Sequence, residues 1–443
     1  MGIVKNQINK IKSPYLRKII KPIYLTLLNT FKYVEKFLQL RYIRKVQKQK
    51  KKLEYQLINE KPQKIKVAFL VLNASIWKYD ILFQKMLEDE LFEPIIFICP
   101  HKQLTSKQRK EEIELIFNQF NELSYPILRP YDENNELLDL KQIFQPHLVF
   151  FTNPHDLSYS YFTIKHFNDV LTAYAPYSIM ATKMPNLQYD KLFHNLLWRM
   201  YNETPIHHEM AKKYSRIKGK NSKVAGASIV ETLTYSKSKN QAWNCESDKI
   251  KIIYAPHHTF NDLEEMNFST VIENGYFMLE MAKKYHKQIH IAFKPHPLLK
   301  HKLYECIEWN KDKTDRFFKA WEEYDNTQIE QGDYTALFQG SDAMILDSIS
   351  FITEYLFVDK PALFLLKNKE TLNCFNEYGI KALENLEWAF NHTEIENFIK
   401  NTLDGIDSKK EKRAEFLATN FTFNNTNFSD FIINDIKKAI SEE

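Results

Sequence analysis

Glycine is scarce in this chain, eight in 443 residues, and that scarcity removes several chemistries at once. There is no GxxxxGK(S/T) loop, no GxGxxG turn and no GxSxG elbow. A bound phosphate would have to be held by helix N-termini, hydroxyls and basic side chains rather than by a glycine cradle. Cysteine is sparse too: Cys99, Cys245, Cys306 and Cys374 lie far apart and form no CxxC pair. That excludes a disulfide framework and a thiolate zinc site and fits a reduced, cytoplasmic compartment. HExxH is absent, and no D-x-D triplet exists to bridge a nucleotide through a metal. The expectation is no metal and no cofactor. No run of about 18 uncharged apolar residues occurs, so no bilayer-spanning helix is expected. Lys10, Lys12, Arg17, Lys18 and Lys21 interrupt the first apolar segment and no small-residue cleavage site follows, so no signal peptide is expected either.

Acidic residues are missing from the N-terminal segment. Between Met1 and Lys52 the one acid is Glu35, against fifteen Lys and Arg. The net charge of +5 therefore divides into about +14 on this arm and about −9 on the rest. A folded body without a basic excess argues against a nucleic-acid partner. Within the arm, Leu16, Ile19, Ile20, Ile23 and Leu27 recur at helical spacing, then Leu27, Phe31, Val34 and Leu38, with Lys and Arg on the other faces. Pro22 is expected to break or kink the first part. A basic amphipathic helix of this kind reads as an interfacial membrane element, so residues 1–52 are expected to hold the protein peripherally on the anionic inner face of the cell membrane. The competing reading is a helix packed on its own body.

Beyond the arm the hydrophobic pattern alternates strand and helix. Lys66–Leu72, Pro94–Cys99, His147–Thr152, Leu171–Ile179 and Lys223–Ala227 read as buried strands, with helices over Trp77–Asp89 and about Thr105–Leu123. The pattern restarts near Lys249, with strands at Lys251–Ala255, Ile289–Phe293, Ala343–Leu346 and Pro361–Leu366 and helices near 267–287, 301–323 and 350–357. Apolar runs separated by helices mark parallel sheets covered on both faces. The expected organisation is an arm (1–60), an N-terminal Rossmann-like acceptor domain (61–235), a C-terminal Rossmann-like nucleotide-donor domain (245–395) and helices packing back on the body (396–443). Two open α/β halves facing a cleft describe a GT-B-like architecture.

In such sheets ligands bind beyond the carboxyl ends of strands, and the unusual residues fall there. Ile252-Ile-Tyr-Ala-Pro-His-His-Thr259 is a strand running into Pro256, His257 and His258. Ile291-Ala-Phe-Lys-Pro-His-Pro297 ends in Lys294 and His296 between prolines. A third strand runs into Asp347, Ser348 and Ser350 at a helix start, with Glu354 one turn on. Hydroxyls and free N–H groups at that start favour an anion, Glu354 is placed to take ribose hydroxyls, and His titrates near neutrality and moves protons. Taken singly, each also has a plain structural role, an N-cap or a polar loop.

These segments resemble the CDP-glycerol glycerophosphotransferases of teichoic-acid and related surface-polymer synthesis. Tyr254-Ala-Pro-His-His-Thr259 stands where that family has "YAPT", Phe293-Lys-Pro-His-Pro297 where it has "R-x-HP", and Ser341-Asp, Leu346-Asp-Ser-Ile-Ser350, Thr353-Glu and Lys360-Pro follow its "SD-x-x-I-T-D-Y-S-S", "F-D" and "KP" elements. The resemblance implies transfer of a glycerol-phosphate or similar polyol-phosphate unit from a CDP-linked donor to a polymer or lipid-linked acceptor hydroxyl, with His296, Ser350 and Glu354 on the donor. One motif departs. The family's "HGT-P-x-K" stretch, which carries a candidate catalytic His, corresponds to Tyr174-Ala-Pro-Tyr-Ser-Ile-Met-Ala-Thr-Lys-Met-Pro185, which has no His. His257, His258 and His155 are the candidate proton acceptors. The expected catalytic residues are His296, His258 and His257. The expected donor-binding residues are Lys294, Asp347, Ser348, Ser350, Glu354 and Pro256. The alternatives are a nucleotide-sugar glycosyltransferase of GT-B type and a membrane-associated binding protein that keeps the fold without turnover.

Overall fold

A computed structural model describes residues 14–235, 242–245, 248–260, 267–332, 334–421 and 427–440, with side chains undescribed at 14–24, 28, 32 and 235. Two parallel sheets form the body. The first has seven strands in the order β3-β2-β1-β4-β5-β6-β7, namely β1 Ile65–Val71, β2 Phe92–Ile98, β3 Ile127–Leu128, β4 Leu148–Phe151, β5 Leu171–Tyr174, β6 Arg199–Asn202 and β7 Ser222–Val224. The second has six in the order β10-β9-β8-β11-β12-β13: β8 Ile250–Ala255, β9 Ile289–Phe293, β10 Thr327–Ile329, β11 Ala343–Leu346, β12 Ala362–Leu365 and β13 Glu387–Ala389. Each strand feeds a helix or loop that crosses over to a parallel neighbour, so both faces are covered. Along β1, Val67, Phe69 and Val71 enter one apolar layer while Ala68 and Leu70 enter the layer on the other face. In β8, Ile253 and Ala255 part in the same way from Ile252 and Tyr254. This is why the strands read as continuous apolar runs instead of alternating ones.

Several sequence expectations are corrected. The helix Pro14–Glu60 runs through Pro22 without a break; proline removes one hydrogen bond from the ladder, and the turns on either side carry the helix past it. The strand expected over Leu171–Ile179 stops at Tyr174, just before Pro176, which has no N–H for a ladder. The helix expected over 301–323 is two, Leu299–Glu305 and Asn310–Glu323, separated by a turn at Trp309. Four strands carry no apolar run long enough to read: β3, β6, β10 and β13, each of two to four residues.

The arm helix has two regimes. From Ile43 onward its inner face is buried, with Ile43, Val46, Lys50 and Leu57 packed against the first sheet. Lys50 is buried outright. Its amine donates to the carbonyls of Phe167 (2.5 Å) and Val170, and burial pulls its pKa down to about 7. N-terminal to this, Leu27, Phe31, Val34 and Leu38 are 48–65% exposed. The side chains of Leu16, Ile19, Ile20 and Ile23 lie outside the described residues. No helix among the described residues is long and apolar enough to cross a membrane.

After the second sheet the chain returns to the first. Helix Lys410–Phe421 places Phe416 in the second sheet's core, and helix Phe428–Ile440 buries Phe428, Ile432, Ile433 and Ile436 against the first. Asp430 pairs with Lys85 at 2.6 Å and Asp435 with Arg199 at 2.9 Å.

Candidate functional site

The strand order of the second sheet reverses between β8 and β11: β9 follows β8 on one side, and β12 follows β11 on the other. Such a switch point opens a crevice at the carboxyl ends of the strands. Pro256–His258 leave β8 there, Lys294–His296 leave β9, and Asp347–Ser350 leave β11. The nine residues singled out in the sequence therefore start from three adjacent strands and one helix.

Three histidine rings meet at this edge. His257 and His258 are stacked with centroids 4.3 Å apart, and His296 lies 4.8 Å from the first and 4.2 Å from the second. Backbone bonds set the arrangement: Pro256 is buried, and its carbonyl accepts from His296 N at 3.1 Å. His257 Nδ1 lies 3.0 Å from Thr259 Oγ1, and His296 Nδ1 accepts from Leu298 N at 3.1 Å. Burial is the main force lowering both rings, His257 to about 2 and His296 to about 4, with the neighbouring histidines adding to it. Both are therefore neutral at pH 7 when no anion is present.

Asp347 organises the loops. It is fully buried, and its carboxylate accepts from His257 N and Thr270 N, both at 2.5 Å, from Thr270 Oγ1 at 2.9 Å and from Ser269 Oγ at 3.3 Å. Burial raises it to about 6 against the pull of these donors. With its oxygens committed to the 257 and 269–270 loops, Asp347 shapes the site from beneath. Ser348 is the buried N-cap residue of helix Ile349–Leu356, and its side chain makes no capping bond. Ser350 is exposed on the first turn.

Glu354 and Lys294 meet around Tyr334. Glu354 is buried, and burial raises its carboxyl to about 7 although a hydrogen bond from Tyr334 and the charge of Lys78 favour the ionised form. One carboxylate oxygen has no partner among the described residues. Lys294 Nζ donates to Gly332 O at 2.9 Å and lies 5.9 Å from the Tyr334 ring centroid. Lys78, from the loop after β1, stands 5.2 Å from the same centroid. Lys78, Tyr334, Thr259, Ser269 and Thr270 were missed in the sequence. For Lys78 a signal existed, since it follows the first strand and the place after a strand is where such residues belong.

The first sheet has its own switch point, between β1 and β4. A cavity of about 370 Å³ lies there, lined by Leu70, Leu72, Phe151, Asn153, His155 and Lys191 among others. His155, the third candidate proton acceptor, sits in its wall beside Lys191, with 3.4 Å between Nδ1 and Nζ.

The segment that lacks the expected histidine joins the two halves. Met180 O accepts from Asn376 Nδ2 at 2.6 Å and from the ring of His207 at 2.9 Å. Ala181 O accepts from Asn376 N, and Lys183 N donates to Cys374 O.

Among known protein families, one profile matches residues 206–438, more than half of the chain: CDP-Glycerol:Poly(glycerophosphate) glycerophosphotransferase. The chain belongs to this family. Membership makes it a transferase of the teichoic-acid type. The match covers the second sheet, all nine residues singled out and the returning helices. Similar solved structures include the wall teichoic acid polymerase TagF, 14% identical over 93% of this chain and 98% of that one with a TM-score of 0.56. They also include a S. aureus MnaA co-structure with UDP, 15% identical over 85% and 96% with a TM-score of 0.53. A third is a UDP-N-acetylglucosamine 2-epimerase described as putative, from Listeria monocytogenes, 16% identical over 85% and 96% with a TM-score of 0.54. At these identities the likeness establishes the shared two-domain α/β fold. No curated protein matches the chain at a significant level.

Proposed function

We propose that this transferase moves a glycerol-phosphate or similar polyol-phosphate unit from a CDP-linked donor to a hydroxyl of a membrane-associated polymer or lipid acceptor, releasing CMP. The observation that carries this reading is the convergence of His257, His258, His296 and Ser350 at the switch point of the sheet that the family profile covers. Phosphoryl transfer asks mainly for positioning and charge stabilisation, and these residues offer both. The donor's pyrophosphate lies at the start of helix Ile349–Leu356, near Ser348 and Ser350, where free N–H groups and the helix dipole favour anions. Lys294, at the end of β9, and Lys302, whose charge acts on His257 and His296, bring positive charge to that edge in the second half. His296, neutral before the donor arrives, donates a hydrogen bond to the leaving CMP from the ring nitrogen that does not face Leu298. One of His257 and His258 takes the acceptor proton. Glu354 holds the donor's ribose, and Lys78 brings charge from the first half. The acceptor enters over the first sheet, where the cavity at β1 and β4 lies.

The arm supports a peripheral place on an anionic membrane. Its exposed Leu27, Phe31, Val34 and Leu38 form a stripe at helical spacing amid basic residues.

The test is to incubate the protein with CDP-glycerol, CDP-ribitol and several UDP- and CMP-sugars and to follow nucleotide release with membrane acceptors. CMP from a CDP-polyol is the expected product. His296→Ala is expected to slow turnover at least a hundredfold, the scale of losing one preorganised donor. Release from sugar nucleotides alone would turn the assignment to a glycosyltransferase. CDP binding without release under any acceptor would favour the binding-protein alternative, which the histidine-free Tyr174–Pro185 segment keeps open.

A further inference from the structure

We infer that His257, His258 and His296 form a binding site for a late first-row divalent ion of the zinc class. One ring nitrogen from each lies within 4.8 Å of those of the other two. Two of the rings are consecutive on the loop after β8, and the third comes from the end of the neighbouring strand β9. The prolines around His296 and its backbone bond to Pro256 hold the two loops together.

Imidazole nitrogen suits zinc, cobalt, nickel and copper, and three protein ligands leave a coordination position open. With metal–nitrogen bonds of about 2.0–2.1 Å, two ligands on a tetrahedral ion stand about 3.3 Å apart, so the rings have to close by on the order of 1 Å. Thr259 Oγ1, 3.0 Å from His257 Nδ1, can take that N–H and leave Nε2 for the ion. His296 has a cost to meet, because its Nδ1 accepts from Leu298 N. Coordination through either of its nitrogens gives up that contact. Leu298 is 52% exposed, so water replaces His296 as the acceptor. The missing D-x-D triplet speaks only to a carboxylate-held nucleotide metal, which is a different ligand chemistry from three imidazoles.

The metal site is read without substrate; a ring that holds the ion cannot at the same time take the acceptor proton, so the metal-bound form and the metal-free roles given above to these rings are two states of one site. Full-length protein stripped with a chelator is titrated with Zn²⁺ against a chromophoric competitor, and with Co²⁺ while the visible spectrum is recorded. One tight equivalent per chain and an intense four-coordinate Co²⁺ band are expected. His257→Ala, His258→Ala and His296→Ala should each weaken Zn²⁺ binding at least tenfold, and Thr259→Val should weaken it by a smaller factor. Zn²⁺ should raise the melting temperature of the parent and of Thr259→Val but not of the triple alanine variant. Where an alanine variant fails to fold, His258→Gln supplies the comparison at similar volume. A weak octahedral Co²⁺ spectrum, or Zn²⁺ binding unchanged in the ligand variants, overturns the site. CMP release is followed separately with chelator present. Its absence both with chelator and with Zn²⁺ restored counts against the transfer reading and leaves the metal titration untouched.

Discussion

Glu354 carries a carboxyl group that burial pushes from its ordinary 4.5 up to about 7, while Tyr334 and Lys78 pull the other way. An acid raised in the folded state contributes most to stability below its unfolded value, and that contribution is lost as the pH rises through the folded one. The melting temperature of the parent, less that of Glu354→Gln, should therefore fall steadily between about pH 4.5 and pH 8. Parallel melting curves across that range would remove the buried carboxyl from the account. Near neutrality the group is poised between donor and acceptor, which suits a contact to ribose hydroxyls. Lys78 makes the complementary case. If it brings charge from the first half to the donor, Lys78→Ala should weaken CDP binding about tenfold or more, the scale of one hydrogen bond to a charged group. Calorimetric titration of CDP reads this directly, and unchanged affinity would confine Lys78 to packing on Tyr334.

The arm helix shows how one element can serve two solvents. Forty-seven residues at 1.5 Å each make a rod of about 70 Å. Its C-terminal half is a structural part of the first sheet through Ile43, Val46, Lys50 and Leu57. The stretch from Leu25 to Leu38 is exposed on nearly every side. Truncation should separate the two roles. Removing residues 1–38 is expected to release the protein from phosphatidylserine-containing vesicles and to leave the melting temperature nearly unchanged. Removing 1–52 takes three buried side chains with it, and losses of about 2–5 kcal/mol per large core side chain should unfold or aggregate the body. Vesicle sedimentation and thermal unfolding on the same two truncations make the comparison. Retained vesicle binding without residues 1–38 would move the anchor elsewhere.

At the scale of the molecule, the two halves are tied by the segment that stands where the family pattern has a candidate catalytic histidine. Met180–Lys183 bonds to Cys374 and Asn376, and Thr182 forms a bridge with Phe375. The backbones approach closely at Gly379, where an added Cβ would come within 2.3 Å of the Ala181 carbonyl oxygen. Backbone cannot yield there as a flexible side chain would. Gly379→Ala should cost about 1–3 kcal/mol, as overpacking does, and should loosen one half from the other. Chemical denaturation followed by calorimetry would register a lower midpoint, or two transitions in place of one. An unchanged profile would mean that the Ala181–Gly379 contact does not set the coupling.

The strands that cross the centre of each sheet, and the three segments that bring chemistry to the second one, were legible in the sequence because burial on both faces writes an unbroken apolar run. Tyr254-Ala-Pro-His-His-Thr259 and Phe293-Lys-Pro-His-Pro297 carry their candidate site residues at the ends of such runs. The short strands β3, β10 and β13 at the sheet edges, and β6 one place in from an edge, were not legible. Two to four residues are too few to show a period; they are held by ladder bonds to a neighbour, and only the assembled sheet supplies that neighbour. Three matters were decided by tertiary structure alone. His257 and His296, 39 positions apart in the chain, touch because β8 and β9 are adjacent in the sheet. Asp347 became the support beneath the loops because β11 lies on the other side of β8. Lys78 reached Tyr334 because the halves pack face to face. Periodicity records which residues leave water, but the partner each one meets depends on strand order and on how the two sheets dock.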